Sequence, residues 1–159
     1  MNETKQIINE RLGVGLRNMR ESDLSEVYDI ETDCFTTSWP MKAFEDALNS
    51  LESFVLYLLE DSRLVGFFIG GGVEDEYNIY NVAIKPSHQR RGFGWYLLNT
   101  VIDNHSKRYE NYFLEVRKSN RDAIAMYYKF GFRFAYQRHN YYTEPIEDAL
   151  VMKYSLSGA

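Results

Sequence analysis

Hydrophobic and polar residues alternate along the chain with two different periods, and together these predict a mixed α/β fold. Largely apolar runs typical of β-strands occupy seven segments: 14–19, 53–60, 64–72, 77–84, 112–116, 132–138 and 149–156. Apolar residues three and four positions apart predict four helices: about 24–33, 44–51, 92–107 and 120–130. Helices and strands do not alternate strictly, so a doubly wound fold is not expected.

Local signals support several of these boundaries. Ser22 and Asp23 precede the first helix as cap residues, and Gly131 follows the last helix where a left-handed C-cap is favoured. The polar segment 61–63 separates two apolar strands, which predicts a hairpin. The segment 34–40 is predicted to be a loop.

Length and composition favour one domain. No internal repeat or Pro-, Ser- or Gly-rich linker interrupts the 159 residues. We therefore expect a single domain over 1–159, with its core at 14–156 and a loose or helical polar tail at 1–11. The net charge of −5 argues against a nucleic-acid partner. With neither an apolar run of transmembrane length nor a signal-peptide pattern, we expect no membrane partner and a cytoplasmic location.

The single cysteine and the few histidines predict no redox or metal chemistry. Cys34 is alone and cannot form an internal disulfide, and no acid or histidine can be assigned to it as an activating partner. We interpret it as an inert packing residue. His88, His105 and His139 lack metal-ligand spacing, and His105 is expected to pack on a helix face.

The segment after strand 77–84 has the character of an anion site. Gln89-Arg90-Arg91-Gly92-Phe93-Gly94-Trp95 opens the helix at 92–107. Free N–H groups and the positive dipole end attract an anion at such a start, and glycines allow its close approach. Leu97 stands where a dinucleotide fingerprint needs a third glycine, and the Walker motif is absent. A tightly packed helix start without a ligand is the alternative.

At this loop the sequence resembles the GCN5-related N-acetyltransferases, whose coenzyme A loop has the pattern Gln/Arg-x-x-Gly-x-Gly/Ala. Later segments are similar to the RimI branch, the ribosomal-protein-alanine N-acetyltransferases, and to archaeal N-terminal acetyltransferases. These segments are Leu114-Glu115-Val116-Arg117, Ser119-Asn120, 123–127, Gly131-Phe132, 138–142 and 147–152, together with Phe35 and Trp39-Pro40 near the start. The resemblance covers roughly residues 14–154. It implies a mixed sheet of six or seven strands, helices on both faces, and a splay between strands 77–84 and 112–116.

The same resemblance implies acetyl-CoA as the co-substrate and assigns residues to it. The backbone of Val82, Ala83 and Ile84 would pair with the pantetheine arm. The loop formed by Gln89, Arg90, Arg91, Gly92, Phe93, Gly94 and Trp95 would hold the diphosphate. Asn120 would bond the pantetheine arm, although it would serve equally as an ordinary N-cap.

Two residues are implied to catalyse direct acetyl transfer. Glu115 lies between Leu114 and Val116 in an apolar strand, where a carboxylate is costly unless it is paired or used. By resemblance it is the general base, and a salt bridge to Arg117 or another residue is the alternative. By resemblance Tyr127 protonates the departing thiolate, and a core tyrosine is the alternative. The neighbouring Tyr128 is expected to point to another face.

The implied acceptor is a protein or peptide N-terminus, with a ribosomal protein as one candidate. Tyr141 and Tyr142, in a predicted loop, would close over it, with surface aromatics as the alternative. Phe35, Ser38, Trp39 and Pro40 would line the opposite wall. Acetylation of a small amine or a lysine side chain is a second reading, and a non-catalytic acyl-CoA-binding sensor is a third. Some archaeal relatives carry a histidine in the region 77–81. Its absence here leaves Glu115 to act without a second base.

Overall fold

The computed structural model describes residues 6–158 and, from Val14 onward, follows the predicted order of elements. The strands are β1 Ile7–Asn9, β2 Val14–Asn18, β3 Glu52–Leu58, β4 Leu64–Val73, β5 Glu76–Ile84, β6 Asn111–Arg117, β7 Arg133–Thr143 and β8 Ile146–Ser155. The helices are α1 Leu24–Cys34, α2 Met41–Ser50, α3 Phe93–His105 and α4 Arg121–Phe130, with short 3-10 turns at Glu21–Asp23 and Pro86–His88. The strands of this described part form one sheet in the order β1-β2-β3-β4-β5-β6-β8-β7. The predicted mixed α/β class is confirmed.

The start of the chain departs from the prediction. Ile7–Asn9 form a strand antiparallel to β2, so the expected loose or helical tail is wrong for this part of 1–11. The turn closes because Asn9 accepts the Leu12 N–H at its side chain (2.9 Å) and the Gly13 N–H at its carbonyl (2.9 Å). Edge pairing uses backbone bonds and needs no long apolar run, which explains the missed strand. The predicted tail at 1–5 lies outside the described residues.

The last hairpin is longer than predicted. β7 and β8 pair as far as Thr143 and Ile146, whereas the sequence predicts strands only over 132–138 and 149–156. Tyr141 and Tyr142 therefore lie in β7, and their predicted placement in a loop is wrong. Nearly all of β7 is exposed, so its polar residues carry no alternating apolar signal even though the backbone continues to pair.

The chain divides into two compact units. The first contains the described residues up to Gly70 together with Asn81–Asp103, and the second contains Gly71–Tyr80 and the described residues from Asn104 onward. The single domain over 1–159 stays a prediction.

The core of the first unit joins α1 and α2 to one face of its strands. Val27 and Ile30 of α1 and Phe44 of α2 pack with strand residues such as Val55 and Phe67. The Phe44 and Phe67 rings meet edge to face, with centroids 5.6 Å apart. Strand alternation turns Phe54, Leu56 and Phe68 to the opposite face, where they are also fully buried.

The second unit is built around aromatic side chains and the strand β6. The parallel ladder pairs Tyr77 with Tyr112 and ends at the pair Ile79–Leu114. On its other side β6 is antiparallel to β8 along its whole length. The rings of Tyr77 and His105 lie 4.8 Å apart, and His105 is buried, which confirms its predicted packing role.

Candidate functional site

The loop before α3 has the backbone of an anion site. Arg90 and Gly92 both adopt positive φ, at 63° and 85°. The Gly92 carbonyl accepts the Tyr96 N–H at 3.0 Å as the helix begins. Left-handed residues that alternate with other conformations turn successive N–H groups toward one point. The positive φ of Gly92 favours glycine. A Cβ placed on Gly92 would meet no atom within 4 Å, so the space above it is open.

The loop side chains divide into supports and exposed groups. The Gln89 side chain donates to the Ile84 carbonyl at 2.9 Å, and the buried Phe93 ring stacks on His88. These two residues hold the loop in place. Arg90 and Arg91 are exposed, as is Trp95. The groups available to contact an anion are therefore the loop backbone and these exposed side chains.

The electrostatic field at the loop is positive. Desolvation is the largest cause that lowers the pKa of His88, and the charges of Arg91, Lys85 and Arg63 lower it further. A cluster of cations that disfavours protonation of a neighbouring imidazole also favours binding of an anion.

The end of β5 is closely packed on β4. Ala83 is buried in the core, and Val82 and Ile84 are half-buried on the other side of the strand. A Cβ on Gly66 would lie 2.9 Å from the Ala83 carbonyl oxygen and 2.7 Å from the Ile84 side chain. Glycine at this position thus permits the close approach of the segment predicted to carry the co-substrate.

The predicted acceptor wall follows α1. Phe35 and Trp39 pack against the core of the first unit, Ser38 is half-buried, and Pro40 is exposed and begins α2 as its N-cap residue. The Trp39 and Phe44 rings lie 5.4 Å apart. Cys34 adjoins this wall, and its thiol donates to the Ile84 carbonyl at 3.2 Å. Burial raises the pKa of Cys34 to about 11, so the thiol is inert at neutral pH.

Glu31 belongs to the same region, and the sequence interpretation missed it. It is 1% exposed and accepts the Trp39 N–H at 2.8 Å and the Asn81 side-chain N–H at 2.9 Å. Burial raises its pKa, and the two hydrogen bonds oppose that rise. The available signal was its spacing, because Glu31 continues the apolar stripe of Leu24 and Val27 seven and four residues later.

In the second unit, strand alternation sets the position of Glu115. Leu114 and Val116 are buried, so Glu115 points to the other face of β6, where its side chain is 29% exposed. Its Oε1 accepts the Arg138 Nε–H at 3.0 Å. The alternative of a salt bridge to Arg117 or another residue is thus met by Arg138, whereas Arg117 pairs with Glu147 at 3.2 Å.

Tyr141 completes a hydrogen-bonded group at Glu115. Hydrogen bonding to the Glu115 carboxylate is the largest cause that raises the pKa of Tyr141 to about 12; burial and the carboxylate charge raise it further, and the charge of Arg138 opposes the rise. The Arg138 guanidinium lies 5.7 Å from the centre of the Tyr141 ring. We name Glu115, Arg138 and Tyr141 the carboxylate triad.

Tyr142 follows Tyr141 in β7 and lies in the same unit. The Arg117 guanidinium lies 4.1 Å from the centre of its ring, a cation–π contact. Burial, followed by the charge of Glu115, raises the pKa of Tyr142 to about 12. Arg117 also donates to the carbonyls of Glu144 and Pro145, so it holds the turn between β7 and β8.

A bulge in β7 positions Arg138 and Tyr141, the two triad residues on that strand, and the residue that anchors it was not predicted from the sequence. Arg138 pairs with Ala149 but Tyr142 pairs with Glu147, so β7 contains two extra residues between these pairs. The Asp148 carboxylate accepts the Asn140 N–H at 2.8 Å and lies 3.1 Å from the His139 ring. In the sequence, Asp148 was noted only as part of a segment that resembles the family. The structure shows that its carboxylate holds the bulge of β7.

Helix α4 carries the remaining predicted residues. Tyr127 is buried at 8% exposure and its neighbour Tyr128 is 41% exposed, which confirms that they point to different faces. Burial raises the pKa of Tyr127 to about 12. The Asn120 side chain accepts the Ala123 N–H at 3.3 Å, so Asn120 is an N-cap, whatever else its amide binds.

The first unit also contains an open groove with a volume of roughly 530 Å³. Most residues that line it lie outside the loop motif 89–95. Arg91 and Phe93 are the loop residues in its lining, which otherwise comprises Glu10, Leu12, Gly13, Leu58, Leu59, Glu60 and His88. Two of these groups are carboxylates, which an anionic ligand avoids.

Residues 6–158 offer neither a metal site nor a membrane span. No set of three or more His, Cys, Asp or Glu side chains in that range is placed to hold a metal ion. None of its helices has the length and apolar character needed to cross a membrane.

Comparison with known proteins extends these observations. The model of the acetyltransferase (GNAT) family matches residues 24–132. The chain is 36% identical over 146 residues to the [ribosomal protein bS18]-alanine N-acetyltransferase of Escherichia coli (strain K12), covering 89% of this chain and 97% of that protein.

Solved structures are similar as well. The crystal structure of the ribosomal-protein-S18-alanine N-acetyltransferase from Escherichia coli matches with a TM-score of 0.82 and 34% identity, covering 90% of this chain and 94% of that one. Arabidopsis thaliana Naa50, in complex with the bisubstrate analogue CoA-Ac-MVNAL, matches with a TM-score of 0.78 and 27% identity, covering 91% and 99%.

The carboxylate triad predicts a measurable change in the titration of Tyr141. Glu115→Gln removes the negative charge that favours the neutral phenol, so the pKa of Tyr141 should fall from about 12 toward its ordinary value of about 10. NMR of ring-labelled tyrosine, with Tyr141→Phe for assignment, should show Tyr141 beginning to ionise at lower pH in the variant. Glu147→Gln is the matched control and should leave Tyr141 unchanged. Identical titration of Tyr141 in wild type and Glu115→Gln would contradict the triad.

Proposed function

Since the chain belongs to the acetyltransferase (GNAT) family, we propose that it transfers acetyl from acetyl-CoA to the N-terminal α-amine of proteins. The chain is an acyltransferase. The name of the Escherichia coli relative specifies an alanine of ribosomal protein bS18 as its acceptor. The analogue bound to Naa50 combines coenzyme A, an acetyl group and the peptide MVNAL. Both names support a peptide acceptor.

The carboxylate triad is the observation that carries the proposal. Glu115 offers an acceptor oxygen for an amine proton, Arg138 holds its carboxylate through a hydrogen bond at 3.0 Å, and the raised pKa of Tyr141 reflects the same carboxylate beside its hydroxyl. Carboxylates are weak bases in general. Such a base suits an α-amine, with a pKa of about 7.7–8.0, better than a lysine at about 10.4.

Acetyl-CoA is the proposed co-substrate because its diphosphate fits the loop before α3. The open backbone at Gly92, the positive end of α3 and the side chains of Arg90 and Arg91 favour a diphosphate. The backbone at Val82, Ala83 and Ile84 is the proposed partner of the pantetheine arm. Asn120 is assigned to that arm as well.

In the proposed reaction the neutral amine attacks the thioester carbonyl carbon. The new C–N bond forms, the C–S bond breaks, and Glu115 accepts the proton that the nitrogen loses. Tyr127 gives its proton to the sulfur of the leaving thiolate. With a tyrosine pKa of about 12 and a thiol pKa near 8.5, that transfer is uphill by about 5 kcal/mol. This is well below the barrier of about 16 kcal/mol for turnover at about 10 per second.

The residues proposed to bind the acceptor are those of the acceptor wall in the first unit (Phe35, Ser38, Trp39 and Pro40) and, in the second unit, Tyr141 and Tyr142. Acetylation of lysines or small amines, and acyl-CoA binding without turnover, are the competing functions.

Acceptor choice is tested by release of coenzyme A thiol. Short peptides with a free N-terminus should react, because their α-amines are partly neutral near pH 7.5. The same peptides with a blocked N-terminus and an internal lysine, and a small polyamine, should react at least about tenfold more slowly, given the difference in amine pKa. Equal rates across the panel would rule out the N-terminal assignment, and no thiol release with any amine would favour the sensor.

The loop assignment is tested with two alanine variants. Gly92 and Gly158 both have positive φ, 85° and 75°, and a Cβ added to either would meet open space. Gly92→Ala and Gly158→Ala therefore carry the same kind of backbone strain, of about 1–2 kcal/mol. Acetyl-CoA affinity by calorimetry should fall about tenfold or more for Gly92→Ala only, because its methyl group obstructs the close approach of the diphosphate. If both variants bind acetyl-CoA like wild type, the loop is not the site.

The two catalytic roles predict different pH profiles. Glu115→Gln should lower kcat by about tenfold to ten-thousandfold, the range for a positioned acid or base. Its defect should shrink above about pH 8, where more α-amine is already neutral. Tyr127→Phe should lower kcat at all pH values, because the thiolate still lacks its donor. A Glu115→Gln defect that stays constant with pH would assign Glu115 an orienting role, and a fully active Tyr127→Phe would leave Tyr127 as a core residue.

A further inference from the structure

Glu31 is a buried carboxylate that the proposed reaction does not use. It lies on α1 among Val27 and Ile30 and is 1% exposed. An apolar side chain at this position would pack without the cost of burying a charged group. Since burial also raises the pKa of Glu31, the carboxylate is expensive for the fold.

One residue anchors both ends of the turn that follows α1. The backbone carbonyl of Glu31 accepts the Phe35 N–H at 3.0 Å, which ends the helix. Its side-chain Oε2 accepts the Trp39 N–H at 2.8 Å, four residues further along. The segment 35–39 is thus closed against a single residue of α1.

The other oxygen ties this turn to the strand β5. Oε1 accepts the side-chain N–H of Asn81 at 2.9 Å. Asn81 is itself buried at 9% exposure and precedes Val82, the first residue assigned to the pantetheine arm. The planar carboxylate therefore fixes the distance between the predicted acceptor wall and the strand that carries the proposed co-substrate.

We propose that Glu31 is a positioning residue for the acceptor: by holding Trp39 and Asn81 in one arrangement, it sets the affinity for the incoming amine. The inference rests on the proposed function, because that function assigns Phe35, Ser38, Trp39 and Pro40 to the acceptor wall. Glu31 makes no contact with the reacting atoms in this role. It acts through the backbone of Trp39.

The test compares Michaelis constants in Glu31→Gln. Glutamine keeps the size of the side chain, and its oxygen accepts one N–H, but its amide group faces the second donor. The KM for the acceptor peptide should rise by about tenfold to a hundredfold, the effect of one unmet buried hydrogen bond. The KM for acetyl-CoA should change by less than about threefold. A purely structural role would move both constants or neither.

Asp29→Asn is the matched control. Asp29 is an exposed acid on the same helix, so its substitution removes the same charge and should leave both Michaelis constants unchanged. An unchanged acceptor KM in folded Glu31→Gln would overturn the inference. If Glu31→Gln does not fold, Asn81→Ala decides by the same comparison, because it releases Oε1 alone.

A second readout separates this inference from the proposed function. Amide hydrogen exchange of Trp39, followed by NMR without any acceptor, should be faster in Glu31→Gln than in wild type and Asp29→Asn. If wild type acetylates no peptide α-amine, the proposed function fails. The Michaelis constants are then measured with the amine that the enzyme does accept, and an unchanged acceptor KM still overturns the role of Glu31.

Discussion

The alternation of side chains along β6 is the constraint on which the candidate site depends. Leu114 and Val116 anchor the strand in the core, so Glu115 must face the other side of the sheet. A slip of one residue would bury the carboxylate and expose both apolar neighbours. Pairing with β8 along the whole of β6 prevents this slip. The base proposed for catalysis is thus placed by ordinary strand packing, and only its partners Arg138 and Tyr141 come from an irregular strand.

Carboxylates hold irregular segments in each of the two units. Glu31 closes the turn after α1, Asp148 holds the bulge of β7, and Glu147 accepts from Arg117 and from the Ser119 N–H. Each bonds a backbone or side-chain N–H that no helix or sheet ladder satisfies. A regular element needs no such help, because its own ladder pairs the backbone. Glu115 is thus the acid proposed for chemistry, and the other three hold irregular backbone within their own units.

Local patterns in the sequence predicted what depends on near neighbours. The stripe of α3, the C-cap at Gly131 and the alternation around Glu115 follow from spacing, and the structure has all three. The partner of Glu115 could not be predicted, because Arg138 reaches it through a bulge whose register is set by pairing with β8. For the same reason the length of the last hairpin was underestimated, since exposed edge residues carry no apolar period. The sequence did contain a signal for Glu31, its position on the apolar stripe of α1, but no role was predicted from it.

The central claim is that the acceptor is an α-amine, and one peptide tests it most directly. The peptide carries a free N-terminus and one internal lysine, so both amines meet the same enzyme at the same concentration. After partial reaction with acetyl-CoA, fragmentation by mass spectrometry locates the acetyl group. We predict that almost all of it lies on the α-nitrogen at pH 7.5, where that amine is far more often neutral than lysine. Acetyl found mainly on the lysine would contradict the claim.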